Sequence, residues 1–212
     1  MSVSAVIFDL DGVIVDSAKY HFLSWGRLAE SLGIPFTHEQ NESLKGVSRA
    51  DSLDRILEWG GVEKSPEEKQ ELMDRKNSWY LEFISKMERD EILEGVEPFI
   101  VALRKAGYKV ALGSSSKNAR PILRQVGMID LFDVIVDGTN INRSKPDPQV
   151  FLMGAEQLGL EPAVCLVFED AYAGIQAALT GGFQAIGVGS ADELSNAPRV
   201  IPGFANFTVT DL

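Results

Sequence analysis

Asp9 and Asp11 close the apolar run Ala5-Val6-Ile7-Phe8 with only Leu10 between them, and Gly12 follows. Side chains two apart on an extended strand point to one side, so both carboxylates face the same space. Held that close they repel, and a cation, a shared proton or a phosphoryl group relieves the repulsion. The pair therefore points to phosphate and Mg2+ chemistry. Taken alone, so short a stretch also suits an acidic strand end that turns at Gly12.

Three more polar stations follow in order. They are Ser114-Ser115-Ser116 behind the strand-like 109–113, then Lys145-Pro146, then Glu169-Asp170 behind the apolar 164–168. Phosphoryl transfer has work for each residue type: a carboxylate attacks phosphorus, a hydroxyl and an ammonium hold its equatorial oxygens, and hard oxygen ligands bind Mg2+. Singly, Ser114 suits a helix N-cap, Lys145 a surface lysine and Glu169-Asp170 a solvated loop. Each station, however, ends a strand-like run or opens a helix. The carboxyl ends of parallel strands share one edge, where ligands bind, so the stations are expected to converge.

The elements that must bring them together show in the spacing past residue 97. It predicts a helix over 97–106, a strand over 108–113, a helix over 117–126 and a strand over 133–136. A helix over 148–158 follows, with Asp147 as N-cap and Pro148 in its first position. Then come a strand over 164–168, a helix over 173–180 closed by Gly181-Gly182, and a strand over 184–188. This rhythm predicts the α/β class, a Rossmann-like parallel sheet with helices on both faces. Between 17 and 89 the pattern is helical throughout, and Ser65-Pro66-Glu67-Glu68 joins a capping box to a proline in the first turn. The expected organisation is a core of residues 1–16 and 90–212 with an inserted helical cap subdomain, 17–89, over the active edge.

The cap carries polar residues in unusual places. His21 shares a helical stripe with Trp25, Leu28 and Leu32, which suits a core histidine bonded to a backbone carbonyl. Its closeness to the junction with the core suits a functional group. Lys76 interrupts the apolar face of Leu72, Met73, Trp79, Tyr80 and Phe83; its stem either snorkels to solvent or carries the ammonium into a polar cleft. In Lys45-Gly46-Val47-Ser48-Arg49, with Ser52 one turn past Arg49, two cations and hydroxyls surround a glycine. Such a block is ordinarily solvated charge, yet an arginine fork at a helix start also suits a second phosphate. A simple phosphatase needs only one.

The chain of 212 residues is 45% hydrophobic, enough for a full core in one domain or two. Its net charge of −11 argues against nucleic acid or an anionic membrane as partner, while a few local cations suffice for a small phosphorylated substrate. No apolar run reaches the ~18 residues of a membrane span. The N-terminus has neither the basic region nor the long apolar stretch of a signal peptide, so a cytoplasmic protein is expected, and a monomer. Cys165, the single cysteine, has no disulfide partner and reads as a small core residue.

The four ordered stations resemble those of the haloacid dehalogenase superfamily, whose members form an aspartyl-phosphate on the first aspartate. Residues 8–25 and 44–53, Arg75-Lys76-Asn77, Ser116-Lys117-Asn118, Ser144-Lys145-Pro146 and the 173–177 run narrow the resemblance to bacterial mutases of β-glucose 1-phosphate. It covers nearly the whole chain to Gly189. The resemblance implies Asp9 as nucleophile, Asp11 as general acid and base, and Mg2+ held by Asp9, the Asp11 carbonyl, Glu169 and Asp170. It implies Ser114 and Lys145 on the transferring phosphate, with a cis Lys145-Pro146 bond, and Arg49, Ser116, Lys117 and Asn118 on the other phosphate. His21 joins the catalytic set, while Lys45, Gly46, Val47, Ser48, Ser52 and Lys76 line the sugar side of the cap. Ser115, also placed at the substrate, stands where alanine is often found; Ser17 and Ala171 are similarly mild departures. The implied activity exchanges β-glucose 1-phosphate and glucose 6-phosphate through a 1,6-bisphosphate. The alternative is a Mg2+-dependent sugar-phosphate phosphatase, and the intact acid pair argues against a non-catalytic relative.

Overall fold

In the computed structural model the described residues are 3–212, so the first two residues of the expected core segment lie outside them. Among the described residues six parallel strands form one sheet: β1 (Ala5–Phe8), β2 (Lys109–Gly113), β3 (Val134–Val136), β4 (Cys165–Glu169), β5 (Gln184–Val188) and β6 (Val200–Ile201), in the order β3-β2-β1-β4-β5-β6. β1 is buried on every residue. A strand covered on both faces has no polar side to present, which is why its run is apolar throughout. The register sets Phe8 beside Leu112 and Phe168, so Asp9, Ser114 and Glu169 emerge at the same edge. Strand order reverses between β1 and β4, the place where open parallel sheets bind ligands.

Helices α1 (Ala18–Ser31), α2 (His38–Glu42), α3 (Arg49–Gly60), α4 (Pro66–Ile84) and α5 (Val96–Lys105) lie between β1 and β2. α6 (Ala119–Gln125), α7 (Gln149–Leu158) and α8 (Tyr172–Thr180) follow β2, β3 and β4. Alternate residues of β1 serve the two faces: Val6 and Phe8 pack with α5 and α6, Ala5 and Ile7 with α7 and α8. Phe8 stacks on Phe168 at 5.3 Å between centroids, and Phe99 and Phe204 close around them. Aromatic pairs of this kind contribute ~0.5–1.5 kcal/mol each beyond burial. Asp9 and Glu169 are the next residues after that stacked pair, so the packing anchors the roots of both carboxylates.

The α1–α4 helices bury their own apolar cluster, which includes Trp25, Leu28, Leu53, Ile56 and Leu72. α4 starts with the capping box expected from sequence: the Glu68 N–H donates to Ser65 Oγ at 3.3 Å and the Ser65 N–H to the Glu68 carboxylate at 2.8 Å. Chain exit and return run side by side. The Asp16 N–H donates to Glu91 O at 3.0 Å and the Leu93 N–H to Ile14 O at 2.9 Å, with an antiparallel bridge between Val15 and Ile92.

Most element bounds fall within one residue of expectation, and three local differences have an identifiable cause. α7 begins at Gln149 with Pro148, not Asp147, at the cap position; the Asp147 carboxylate still accepts the Gln149 N–H at 2.9 Å, so the capping bond survives the shift. α6 begins at Ala119, because Lys117 and Asn118 stay in the preceding loop, where Ser116 Oγ accepts the Asn118 N–H at 3.2 Å. β6 has no counterpart in the sequence patterning, since two residues are too few for a period to register.

Candidate active site

The strand edge and the inner side of the α1–α4 unit enclose a cleft of about 620 Å³, a size that suits a small ligand. Every site residue expected from sequence borders it except Lys145 and Glu169, which are buried beside Asp9. Lys145 Nζ donates to Asp9 Oδ1 at 2.5 Å and to Glu169 Oε2 at 2.8 Å, and the Ala171 N–H donates to Glu169 Oε1 at 3.1 Å. Burial opposes the Lys145 charge, but the two carboxylates outweigh it and hold the ammonium above its usual range. Two glycines let these groups crowd together. A Cβ on Gly12, whose φ is +78°, would collide with the Asp170 carboxylate, and one on Gly174 with that of Glu169. The Lys145-Pro146 bond is cis, as the resemblance implies.

Burial pushes Asp11 up to about 6, with Asp9 adding to the effect, while Ser17 Oγ donates to Asp11 Oδ1 and pulls the other way. Burial pushes Glu169 up to about 7 against the attraction of Lys145. Asp170 is raised well above the usual carboxylate range by burial, then by Glu169 and Asp9. Four carboxylates thus crowd an end of the cleft where one ammonium, Lys145, is hydrogen-bonded to two of them. One oxygen each from Asp9, Glu169 and Asp170 lie within 4.8 Å of one another. Hard oxygen donors so spaced and so poorly neutralised fit a small divalent cation, which would relieve the repulsion that raises Glu169 and Asp170.

Beside this acidic end, Ser114 is buried and its Oγ accepts the Ser116 N–H at 3.1 Å. Ser115 Oγ is buried with no hydrogen-bond partner among the described residues, although Ser115 borders the cleft. From the helical side, the His21 imidazole bonds to no backbone carbonyl among the described residues; its Nδ1 lies 3.3 Å from Lys76 Nζ. With the ammonium donating, Nδ1 accepts and the ring proton sits on Nε2, 3.8 Å from Asp11 Oδ1. Burial, then Lys76 and Arg49, depress the imidazole well below its usual range, so it stays neutral. Lys76 does not snorkel. It is 3% exposed, 4.6 Å from the ring centroids of both Trp25 and Tyr80, and burial pushes it down to about 7.

The basic block is more committed than its sequence shows. Lys45 Nζ lies 2.6 Å from Glu42 and 3.5 Å from Asp170, so it reaches across to the sheet edge. Ser48 Oγ caps α3 by accepting the Asp51 N–H at 3.1 Å and gives its proton to the Asp51 carboxylate at 2.6 Å. Arg49 opens α3 and donates from Nη2 to Asn77 Oδ1 at 2.7 Å. Gly46, Val47 and Ser52 border the cleft between them, and Ser116, Lys117 and Asn118 border it from the loop before α6. Several contacts were not anticipated: Ser17 on Asp11, Trp25 and Tyr80 against Lys76, and Asn77 on Arg49. The spacing of Lys76 and Tyr80, one helical turn, was a usable signal. Asn77 had none, since its partners lie 28 and 41 residues away.

An open parallel sheet with its acid pair at the switch point and a helical unit folded over it is an architecture for phosphoryl chemistry, and the chain belongs to the haloacid dehalogenase-like hydrolase family, whose model matches residues 3–182. Within that family it is 46% identical over 207 residues to the β-phosphoglucomutase of Bacillus subtilis, covering 97% of this chain and 92% of that one. A crystal structure of β-phosphoglucomutase from Clostridium difficile, 39% identical, matches with a TM-score of 0.95 over 99% of this chain and 95% of that one. A phosphorylated carbohydrates phosphatase of Thermotoga maritima is 32% identical over 86% of this chain and 83% of its own. Among the described residues no helix is long and apolar enough to cross a membrane.

Proposed function

We propose that the chain interconverts β-D-glucose 1-phosphate and D-glucose 6-phosphate through an aspartyl-phosphate and β-glucose 1,6-bisphosphate. Similarity to two β-phosphoglucomutases over almost the whole chain supports this reading. The observation that carries it is a second group of cationic and polar side chains bordering the cleft, Arg49 with Ser116, Lys117 and Asn118, in addition to Lys145 beside Asp9; its chemistry suits a second phosphate. Hydrolysis of a single phosphate has no use for it. In this reading residues 17–89 act as the cap of a core made by 1–16 and 90–212.

The cycle starts with Asp9 phosphorylated. The 6-hydroxyl of β-glucose 1-phosphate attacks that phosphorus: the P–O6 bond forms, the bond to the Asp9 carboxylate breaks, and Asp11 takes the hydroxyl proton. The bisphosphate then turns around. Asp9 attacks the phosphorus on O1, the P–O1 bond breaks, and Asp11 returns its proton to O1, which leaves glucose 6-phosphate and regenerates the phosphorylated enzyme. A carboxyl pushed up to about 6 is suited to both proton roles near neutral pH. Ser114 and Lys145 hold the oxygens of the moving phosphoryl group, Arg49 with Ser116 to Asn118 holds the other phosphate, and neutral His21 and Lys76 orient the sugar. Asp9, the Asp11 backbone carbonyl, Glu169 and Asp170 would hold Mg2+, which would supply neutralisation of the phosphoryl charge.

Phosphorus NMR tests the reading. β-glucose 1-phosphate with Mg2+ and a bisphosphate primer is expected to give glucose 6-phosphate; free phosphate in its place establishes a phosphatase. Arg49→Lys keeps charge but loses the planar fork, so mutase turnover is expected to fall about tenfold or more. Slow hydrolysis of acetyl phosphate, which has no second phosphate to hold, is expected to change little. Parallel loss of both activities in a folded protein would mean that Arg49 supports the acidic end instead.

A further inference from the structure

We infer that Asn77 is a positioning residue, which aims Arg49 at the second phosphate and ties that grip to docking of the α1–α4 unit on the sheet edge. The inference rests on the proposed role of Arg49 and Asn118 at that phosphate. One atom carries it. Asn77 Oδ1 accepts from Arg49 Nη2 at 2.7 Å and from Asn118 Nδ2 at 3.0 Å, which engages both lone pairs of the carboxamide oxygen. Arg49 opens α3, Asn77 sits within α4, and Asn118 stands in the loop before α6, so three separate elements meet at this oxygen. The Arg49 contact lies within the helical unit, whereas the Asn118 contact spans to the sheet domain. If the unit lifts, the second breaks while the first persists. Arg49 therefore arrives already oriented, and its grip is completed by Asn118 only on docking.

The residue type matters as much as the position. Among the described residues Arg49 forms no ion pair, and its guanidinium is partly buried, so its charge is left for an anionic ligand. A neutral amide oxygen directs one N–H of the fork and adds no countercharge, and Asp74 acts on the guanidinium only through space. A carboxylate at the same place would hold the guanidinium by a charge-assisted bond and compete with phosphate for it. Size and polarity alone would allow Asp at position 77; the need to keep Arg49 charged and available does not.

This reasoning ranks two substitutions in an order that a packing role would reverse. Asn77→Asp is nearly isosteric, so a space-filling role makes it milder than Asn77→Ala. Positioning with charge preservation makes it the worse of the two. In steady-state assays, Asn77→Asp is expected to raise KM for β-glucose 1-phosphate about tenfold or more, Asn77→Ala to raise it less, and kcat to change less than KM in both. Combining Asn77→Ala with Arg49→Lys is expected to cost no more than about twofold beyond Arg49→Lys alone, because one acts through the other. Thermal melts check that each variant is folded. An unchanged KM, a milder Asn77→Asp than Asn77→Ala, or multiplicative losses in the double variant would each overturn the inference. Failure of the functional reading is separately visible: the wild-type chain would then release phosphate from β-glucose 1-phosphate, whatever the variants do.

Discussion

Asp9→Asn is expected to lower mutase turnover on the order of 10⁴-fold or more while the protein still folds. The amide keeps the size of the carboxylate and an oxygen that can accept from Lys145 Nζ, so the local packing survives. What disappears is the anionic oxygen able to attack phosphorus, together with one candidate ligand of the divalent cation. Lys145 keeps Glu169 as a partner, at 2.8 Å, and loss of the Asp9 charge removes one of the causes that raise Glu169, so the buried ammonium is not left unpaired. The checks are a coupled rate assay, circular dichroism, and phosphorus NMR for loss of the acyl phosphate. Asparagine can deamidate to aspartate, so mass spectrometry has to accompany the rate. Turnover within about a hundredfold of wild type in a verified Asp9→Asn protein would end the aspartyl-phosphate scheme.

Asp11→Asn is expected to separate two steps that Asp9→Asn removes together. Transfer to a sugar hydroxyl needs a base, so loss of the Asp11 carboxylate is expected to slow it ~10²-fold or more. Acetate leaves from acetyl phosphate without protonation, and phosphorylation of Asp9 by that donor is expected to be much less affected. Attack of water on the phosphorylated residue also needs a base. The phosphoenzyme is therefore expected to accumulate in Asp11→Asn and to be visible by phosphorus NMR, where wild type shows little. Unchanged sugar transfer would remove the proton-handling role, and equal slowing of phosphorylation by acetyl phosphate would place Asp11 in support of Asp9 instead.

The sheet and the acidic end were legible in the sequence for the same reason. The acidic stations stand at the ends of wholly buried strands, and such strands read as uninterrupted apolar runs that stop abruptly at the acid, as at Phe8 before Asp9 and Phe168 before Glu169. His21 and Lys76 stood out because a charged or titratable group on an apolar helical stripe breaks a period. Their pairing did not stand out, since α1 and α4 meet only through tertiary packing. Ser17 on Asp11 was equally hidden: a serine ahead of a helix reads as a cap, yet its hydroxyl makes no capping bond and turns to the carboxylate. Asn77 was noticed only within a run of residues that resembled a family. Its function depends on which two distant side chains share its oxygen, and no local pattern encodes that.

The chain leaves the sheet through Ile14 to Asp16 and returns through Glu91 to Leu93, and the two passages are hydrogen-bonded to each other. For the rest of the fold, everything between them is a loop whose ends are already joined. Its closure cost varies only slowly with length. The intervening helices have an apolar cluster of their own, and the end of α4, through Tyr80 and Ile84, packs into the core of the sheet. An insert of this kind can be lengthened, shortened or exchanged for an unrelated one without disturbing Asp9, Lys145 or Glu169. The proposed substrate grip is divided by this two-passage seam, Arg49 lying on the insert and Ser116 to Asn118 on the sheet domain, so recombination there would exchange part of a specificity while Asp9, Lys145 and Glu169 pass on with the rest.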